Sequence, residues 1–311
     1  MMDTVLDKPL KTFIEVAEVW VPQGDRLVLD AGSYGELNDF AAVSGQESFG
    51  RGEGLPGKAW AEARPVVLKD FEGSYFKRTE AAKAAGLTSA VAVPVFAGDV
   101  LKAVLVVLCA DDRNRTGAIE VWAEADGLLT LDDGYYGAAR HFEWVSQHTQ
   151  FPRGQGLPGG VWAAMTPMLF RDLGSGYRFI RAESAGEAGL TTGLGLPVPV
   201  PGKKTYVLTL LSARGTPIAR RFEIWDARAA KVGAAKEAVL VDGICAREGP
   251  LWDDETERRV SVWQGAIGKV LGTGLPVLED GTPGLSAGYG SMVGLPIYRG
   301  GELAHIVAWY C

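Results

Sequence analysis

The stretch Phe49-Gly50-Arg51-Gly52-Glu53-Gly54-Leu55-Pro56-Gly57-Lys58-Ala59-Trp60 returns 102 positions later as Phe151-Pro152-Arg153-Gly154-Gln155-Gly156-Leu157-Pro158-Gly159-Gly160-Val161-Trp162. Such a repeat decides the architecture before any single residue does, because both copies must fold alike. The same shift carries Glu18-Val19-Trp20 onto Glu120-Val121-Trp122, Tyr34 onto Tyr136, Phe40 onto Phe142 and Asp70 onto Asp172. After one inserted residue the shift becomes 103 and takes Phe76 to Phe179, Arg78 to Arg181 and Pro94 to Pro197. A third, weaker copy starts at Phe222-Glu223-Ile224-Trp225, with Gly268 in the place of Gly57, Pro276 in that of Pro65 and Leu271 where a tryptophan stood. Gly57 to Gly86 spans 29 positions and Gly159 to Gly189 spans 30, but Gly268 to Gly288 spans only 20. A helix-sized segment is missing from the third copy.

Copies of about 100 residues are domain-sized rather than solenoid units. The expected division is 1–112, 113–216 and a degenerate, shortened 217–311. In each, apolar alternation about a polar turn marks hairpins: Val16 to Trp20 with Leu27 to Leu29, and Ala90 to Phe96 with Val100 to Leu108. Pro94, Pro197 and Pro296 cannot donate to a ladder, so each should lie at a bulge or where its strand is unpaired on that side. Ser74 to Ala85 and Ser175 to Gly189 read as capped, Ala-rich helices ending at glycine. The fold class is therefore α+β, antiparallel sheets each carrying helices.

Composition narrows the function. With 47% hydrophobic and 22% charged residues the chain is globular, and a net charge of −7 speaks against a nucleic-acid partner. Three cysteines without CxxC spacing make neither a disulfide framework nor a zinc knuckle. The start Met1-Met2-Asp3 shows no basic-then-apolar leader, and the run Ala103 to Ala110 is too short to span a bilayer, so a cytoplasmic protein with no membrane partner is expected.

Three strings imitate catalytic motifs. Gly52 to Gly57 and Gly154 to Gly159 spell G-x-G-x-x-G, but Pro65 stops any following helix within about two turns, which a dinucleotide fold does not tolerate. Gly284-Leu285-Ser286-Ala287-Gly288 spells a nucleophile elbow in a truncated connection rather than between a strand and a long helix. His141 and His148 have no metal-ligand partner at helical spacing. Among the thiols, only Cys245 has polar neighbours, and no resolving cysteine is nearby.

The phrase from Phe49 to Trp60, followed by Pro65-Val66-Val67-Leu68, Asp70, Arg78, Ala85-Gly86-Leu87 and Val93-Pro94-Val95, resembles GAF domains, particularly those of bacterial sensor kinases. The second copy repeats it from Phe151 to Val198. The resemblance implies a six-stranded antiparallel sheet with helices on it and a small-molecule pocket between the sheet and the helix-bearing connection. It also implies a non-enzymatic sensory or regulatory protein that binds a small molecule or a signalling protein. The alternatives are a ligand-free interaction scaffold and a GAF-fold thiol redox enzyme. The cyclic-nucleotide signature, a bilin cysteine and the reductase cysteine constellation are all missing, so those activities do not carry over, and no cofactor is assigned.

If a ligand binds, the first and second copies are expected to hold it. Trp20, Phe76, Trp122 and Phe179 are candidate walls, and Arg78 and Arg181 are candidate polar anchors unless Asp70 and Asp172 pair with them. The third copy, lacking the helix, is expected to be a poor binder.

Overall fold

The computed structural model describes residues 11–110, 112–174, 179–202, 204–228, 236–252, 257–281 and 288–311. The first unit runs β1 (Ile14–Gln23), β2 (Arg26–Ser33), α1 (Asn38–Ser44), β3 (Ser48–Gly50), α2 (Gly54–Glu62), β4 (Val66–Leu68), α3 (Thr79–Ala84), β5 (Leu87–Ala97) and β6 (Val100–Ala110). Its strands lie in the order β3-β2-β1-β6-β5-β4, every pairing antiparallel. The second unit repeats this with β7 (Thr116–Ala125), β8 (Leu128–Gly137), α4 (Arg140–Gln147), β9 (Gln150–Pro152), α5 (Gly156–Ala164), β10 (Met168–Phe170), α6 (Ala182–Glu187), β11 (Leu190–Pro199) and β12 (Thr205–Ala213). The order β10-β11-β12-β7-β8-β9 is the same sheet read from the other edge.

The third unit comprises β13 (Arg221–Asp226), β14 (Glu237–Cys245), β15 (Gly249–Pro250), β16 (Arg259–Ser261), α7 (Gly265–Thr273), β17 (Val277–Asp280), β18 (Ser291–Arg299) and β19 (Glu302–Tyr310). Its order is β15-β14-β13-β19-β18-β17, with β16 also on β14. The molecule is thus α+β, built of three like units, each an antiparallel sheet with helices on one face. Residues 282–287, where the shortened connection falls, lie outside the described residues, as does most of the Gly284–Gly288 string.

The helix before Gly86 is shorter than its sequence suggests. Ser74 makes a local turn, its Oγ donating to the Phe71 carbonyl at 2.9 Å and accepting from Phe76 N at 3.1 Å, and α3 begins only at Thr79. The preceding segment is instead tied down by Phe71 stacked on Phe76, with ring centroids 4.1 Å apart. The prolines sit where the edge strand has run out. The last partners of β5, β11 and β18 on that side are Ala92, Gly195 and Gly294, so Pro94, Pro197 and Pro296 withhold no ladder donor.

Each sheet is buried on both faces, which explains why its central strands read as continuous apolar runs. Along β6, Val104, Val106 and Leu108 face the helices. Their neighbours Ala103, Leu105, Val107 and Cys109 face a second core shared with the other two sheets. That common core draws Leu194, Leu196, Leu208 and Leu210 from the second unit and Phe222, Leu295, Val307 and Trp309 from the third. At its centre β5, β11 and β18 touch one another pairwise, through Val93–Phe96, Leu196–Pro199 and Leu295–Tyr298. The seams follow one rule around the ring. Arg64 and Lys69, flanking β4, pair with Asp132 and Asp133 on β8 at 2.9 Å each. Arg171, after β10, pairs with Asp242 on β14, and β17 packs back against β1 and β2.

Candidate functional site

The loops that open α2, α5 and α7 are structural. A Cβ on Gly57 would sit 2.0 Å from the Gly50 carbonyl oxygen, on Gly159 2.3 Å from that of Pro152, and on Gly268 2.4 Å from that of Ser261. The last glycine of the G-x-G-x-x-G string therefore lets a nine-residue helix press onto a strand carbonyl. Glu53 ties its loop, accepting from Gly50 N at 2.8 Å and Arg26 Nη2 at 2.9 Å and pairing with Lys77.

The sequence-derived candidates do come together, around a residue the sequence reading did not single out. Glu18, on β1, is fully buried. Trp20 Nε1 donates to its Oε2 at 3.0 Å and Tyr34 OH to its Oε1 at 3.1 Å. Arg78 Nη2 donates to Oε2 at 2.9 Å, while Nη1 bonds Oε1 and Ser44 Oγ. The guanidinium lies over the rings of Phe40, Phe76 and Trp20 at 4.8, 5.3 and 5.5 Å. The second unit repeats the arrangement. Glu120 accepts from Trp122 Nε1 at 3.1 Å, Tyr136 OH at 3.2 Å, Arg181 Nη2 at 2.9 Å and Thr209 Oγ1 at 2.7 Å. Phe142, Trp122, Phe179 and Phe151 surround Arg181 at 4.6 to 5.5 Å.

This geometry corrects two expectations. The acidic partners of Arg78 and Arg181 are Glu18 and Glu120, whereas Asp70 and Asp172 accept from the backbone of Glu72 and Gly174 in local turns. The arginines are also only 3% exposed. Each one plugs its own unit, because a buried carboxylate and a buried guanidinium require each other more than either can spare for a ligand. Burial alone would raise the Glu120 carboxyl, but the Arg181 charge and the hydrogen bonds from Arg181 and Thr209 outweigh it and hold the carboxyl below its ordinary value. The glutamates had a visible signal, an acidic residue two before tryptophan in an apolar strand, present in all three copies.

Residues 1–125 match the family model of the GAF domain. This stretch is similar to GAF domains. No curated protein matches the chain. Among solved structures, the chain resembles the GAF domain of A. aeolicus nlh2 in an inactive state, at 20% identity and TM-score 0.26, over 31% of this chain and 58% of that one. It also resembles free methionine-R-sulfoxide reductase from Neisseria meningitidis in complex with its substrate, at 18% identity and TM-score 0.24, over 30% and 51%. For fRMsr of Staphylococcus aureus in its reduced form the figures are 23% and 0.25, over 32% and 56%. The alignments thus take in little more than half of each of these chains.

In the third unit the same glutamate is served differently. Glu223 Oε2 accepts from Trp225 Nε1 at 2.9 Å and Tyr310 OH at 3.0 Å, and its Oε1 accepts from Arg221 Nε at 2.7 Å. Arg221 stands where Val16 and Ala118 stand in the other units. Tyr310 stands where Leu108 and Leu211 stand, and the Tyr34 position is held by Cys245. The cation and the phenol are supplied by the strands rather than by the helix-bearing connection. A cavity of about 300 Å³ then opens over Glu223, lined also by Arg221, Trp225, Glu279, Met292 and Tyr310. The shortened unit, expected to be the poor binder, holds a ligand-sized space over the glutamate that Arg78 and Arg181 cover in the other units.

The remaining candidates do not assemble a reactive centre. Burial pushes the Cys109 thiol up to about 12 and the Cys311 thiol up to about 11, away from nucleophilic thiolate. Cys245 is buried with Sγ 3.1 Å from Tyr289 OH, and all three cysteines are free. His141 and His148 are exposed on either side of Trp144. Among the described residues, no group of three or more His, Cys, Asp or Glu is placed to hold a metal, and no helix is long and apolar enough to cross a membrane.

Proposed function

We propose that the chain is a non-enzymatic regulatory protein of three GAF-like domains, at 1–112, 113–216 and 217–311, that recognises a small molecule in the third. One observation carries this reading. The glutamate–tryptophan pair common to all three units is closed by an arginine from the helix-bearing connection in two of them, and in the third, where Arg221 reaches the glutamate along β13, it faces a cavity of about 300 Å³. A concave site with apolar walls and a few convergent polar groups is the ordinary form of a small-molecule pocket. The first two domains then serve as a rigid frame, and the shared core gives occupancy of the third a packed route to the other sheets. The up-shifted thiols of Cys109 and Cys311 support the non-enzymatic reading over a thiol redox enzyme.

The test is native mass spectrometry of the purified full chain for a retained small molecule, with hydrogen exchange before and after its removal. Release should lower protection in α7, β13 and β19. Changes confined to α2 and α5 would overturn the assignment to the third domain.

A further inference from the structure

We infer that the third-unit cavity takes a small organic cation, a guanidinium or primary ammonium on a short apolar body. The inference rests on the cavity's being the ligand site proposed above. The two sister units show what their version of this space accepts: a guanidinium bonded in plane to the conserved carboxylate, with its flat face over aromatic rings. Those rings attract cations through their negative faces.

The third unit keeps the carboxylate of Glu223 and the indole of Trp225, adds the phenol ring of Tyr310 and the soft thioether of Met292, and in place of the plug from the helix-bearing connection has Arg221, which reaches Glu223 along β13 and lies over the Tyr310 ring at 5.4 Å. Its charge count points the same way. Glu223 and Glu279 line the cavity against Arg221 alone. Widening the circle adds Lys269, 3.1 Å from Glu279, and Glu248, 3.8 Å from Arg221, which leaves the balance at one net negative charge. The Glu223–Arg221 pair is neutral by itself, like the Glu–Arg pairs of the other units, so the excess charge is that of Glu279 and Glu248 over Lys269. A monocation restores that neutrality, whereas an anion would add to an uncompensated charge in a partly desolvated site.

The experiment uses the full chain and four probes of matched length: n-butylguanidine, n-butylamine, the neutral n-butylurea and the anionic butanoate. Affinity is measured by calorimetry, and the site is followed through the indole N–H resonance of Trp225. The guanidine and amine should bind and move that resonance, with urea and butanoate at least tenfold weaker. Glu223→Gln should weaken the guanidine at least tenfold, and Ala266→Leu, at the cavity wall, should abolish binding with the thermal midpoint unchanged. The second variant decides the matter if Glu223→Gln fails to fold. Urea or butanoate binding as tightly, with the Trp225 resonance moving, overturns the cation and leaves the site standing. Cation binding that moves Trp20 or Trp122 instead overturns the site, and four probes that leave Trp225 unmoved overturn both.

Discussion

A carboxylate fully out of water is tolerable only with a full set of donors, and Glu18 and Glu120 have one. Removing one partner strands the other, so Arg78→Met and Arg181→Met should each cost about 3–5 kcal/mol in urea-melt stability. Replacing both members, as in Glu120→Leu with Arg181→Met, should recover only part of that, since an apolar pair can match a buried ion pair but the buried donors of Trp122, Tyr136 and Thr209 lose their acceptor. The pH dependence has a fixed sign. Because the folded Glu120 carboxyl lies below its unfolded value, the stability it contributes is fully present above the unfolded value of about 4.3 and is lost as pH falls through the folded one. Glu120→Gln should flatten the acid limb of a plot of unfolding free energy against pH. An unchanged acid limb would show that Glu120 is protonated or unpaired in the native state.

Among the elements, the short helix α2 and its two counterparts rest on a glycine contact that leaves no room for a methyl group. Gly159→Ala forces the helix off the Pro152 carbonyl and should cost about 3 kcal/mol by chemical denaturation. The helix ends behave in the opposite way. Ala63 closes α2 at φ 48°, a left-handed position that the third unit gives to Gly274. Ala63→Gly should therefore stabilise by about 0.5 kcal/mol, the relief of left-handed strain exceeding glycine's added unfolded-state freedom. At this scale the sequence was informative where local rules act alone. The hairpins about Gly24 and Gly98 and the proline positions follow from turn chemistry and the missing N–H. Helix α4 carries no strong cap or stop and α1 only the Gly45 that follows it, and Ser74 initiates a turn rather than α3, with Phe71 and Phe76 stacked on each other. The repeat located Trp20, Phe76 and Arg78 together but not their state. Whether an arginine in an aromatic cluster is free or plugged depends on a glutamate 60 positions away.

For the molecule as a whole, the sheet faces opposite the helices define the energetics. Leu105, Leu208 and Leu295 lie in one core fed by three units, so unfolding should be a single cooperative transition in calorimetry. A chain ended near Arg214 would expose the faces of β5, β6, β11 and β12 to water, and should bind a hydrophobic dye and associate. Two separated transitions in the full chain, or a monomeric, dye-silent truncation, would show that the units stand alone. None of this was visible in the sequence, which displays two apolar faces per strand without saying what covers the second.

The seams repeat one head-to-tail contact, β4 on β8, the end of β10 on β14, and β17 on β1 and β2, and the third returns to the first. Three identical subunits joined this way would form a closed cyclic trimer, and identity would bind them to one common interior. Every pocket would have to be plugged or every pocket left open. Covalent linkage removes that constraint. A single chain can dedicate two interiors to holding the assembly and vary the third alone, so that under the proposed function ligand stoichiometry is one per ring instead of three, and occupancy would break a threefold arrangement from one side.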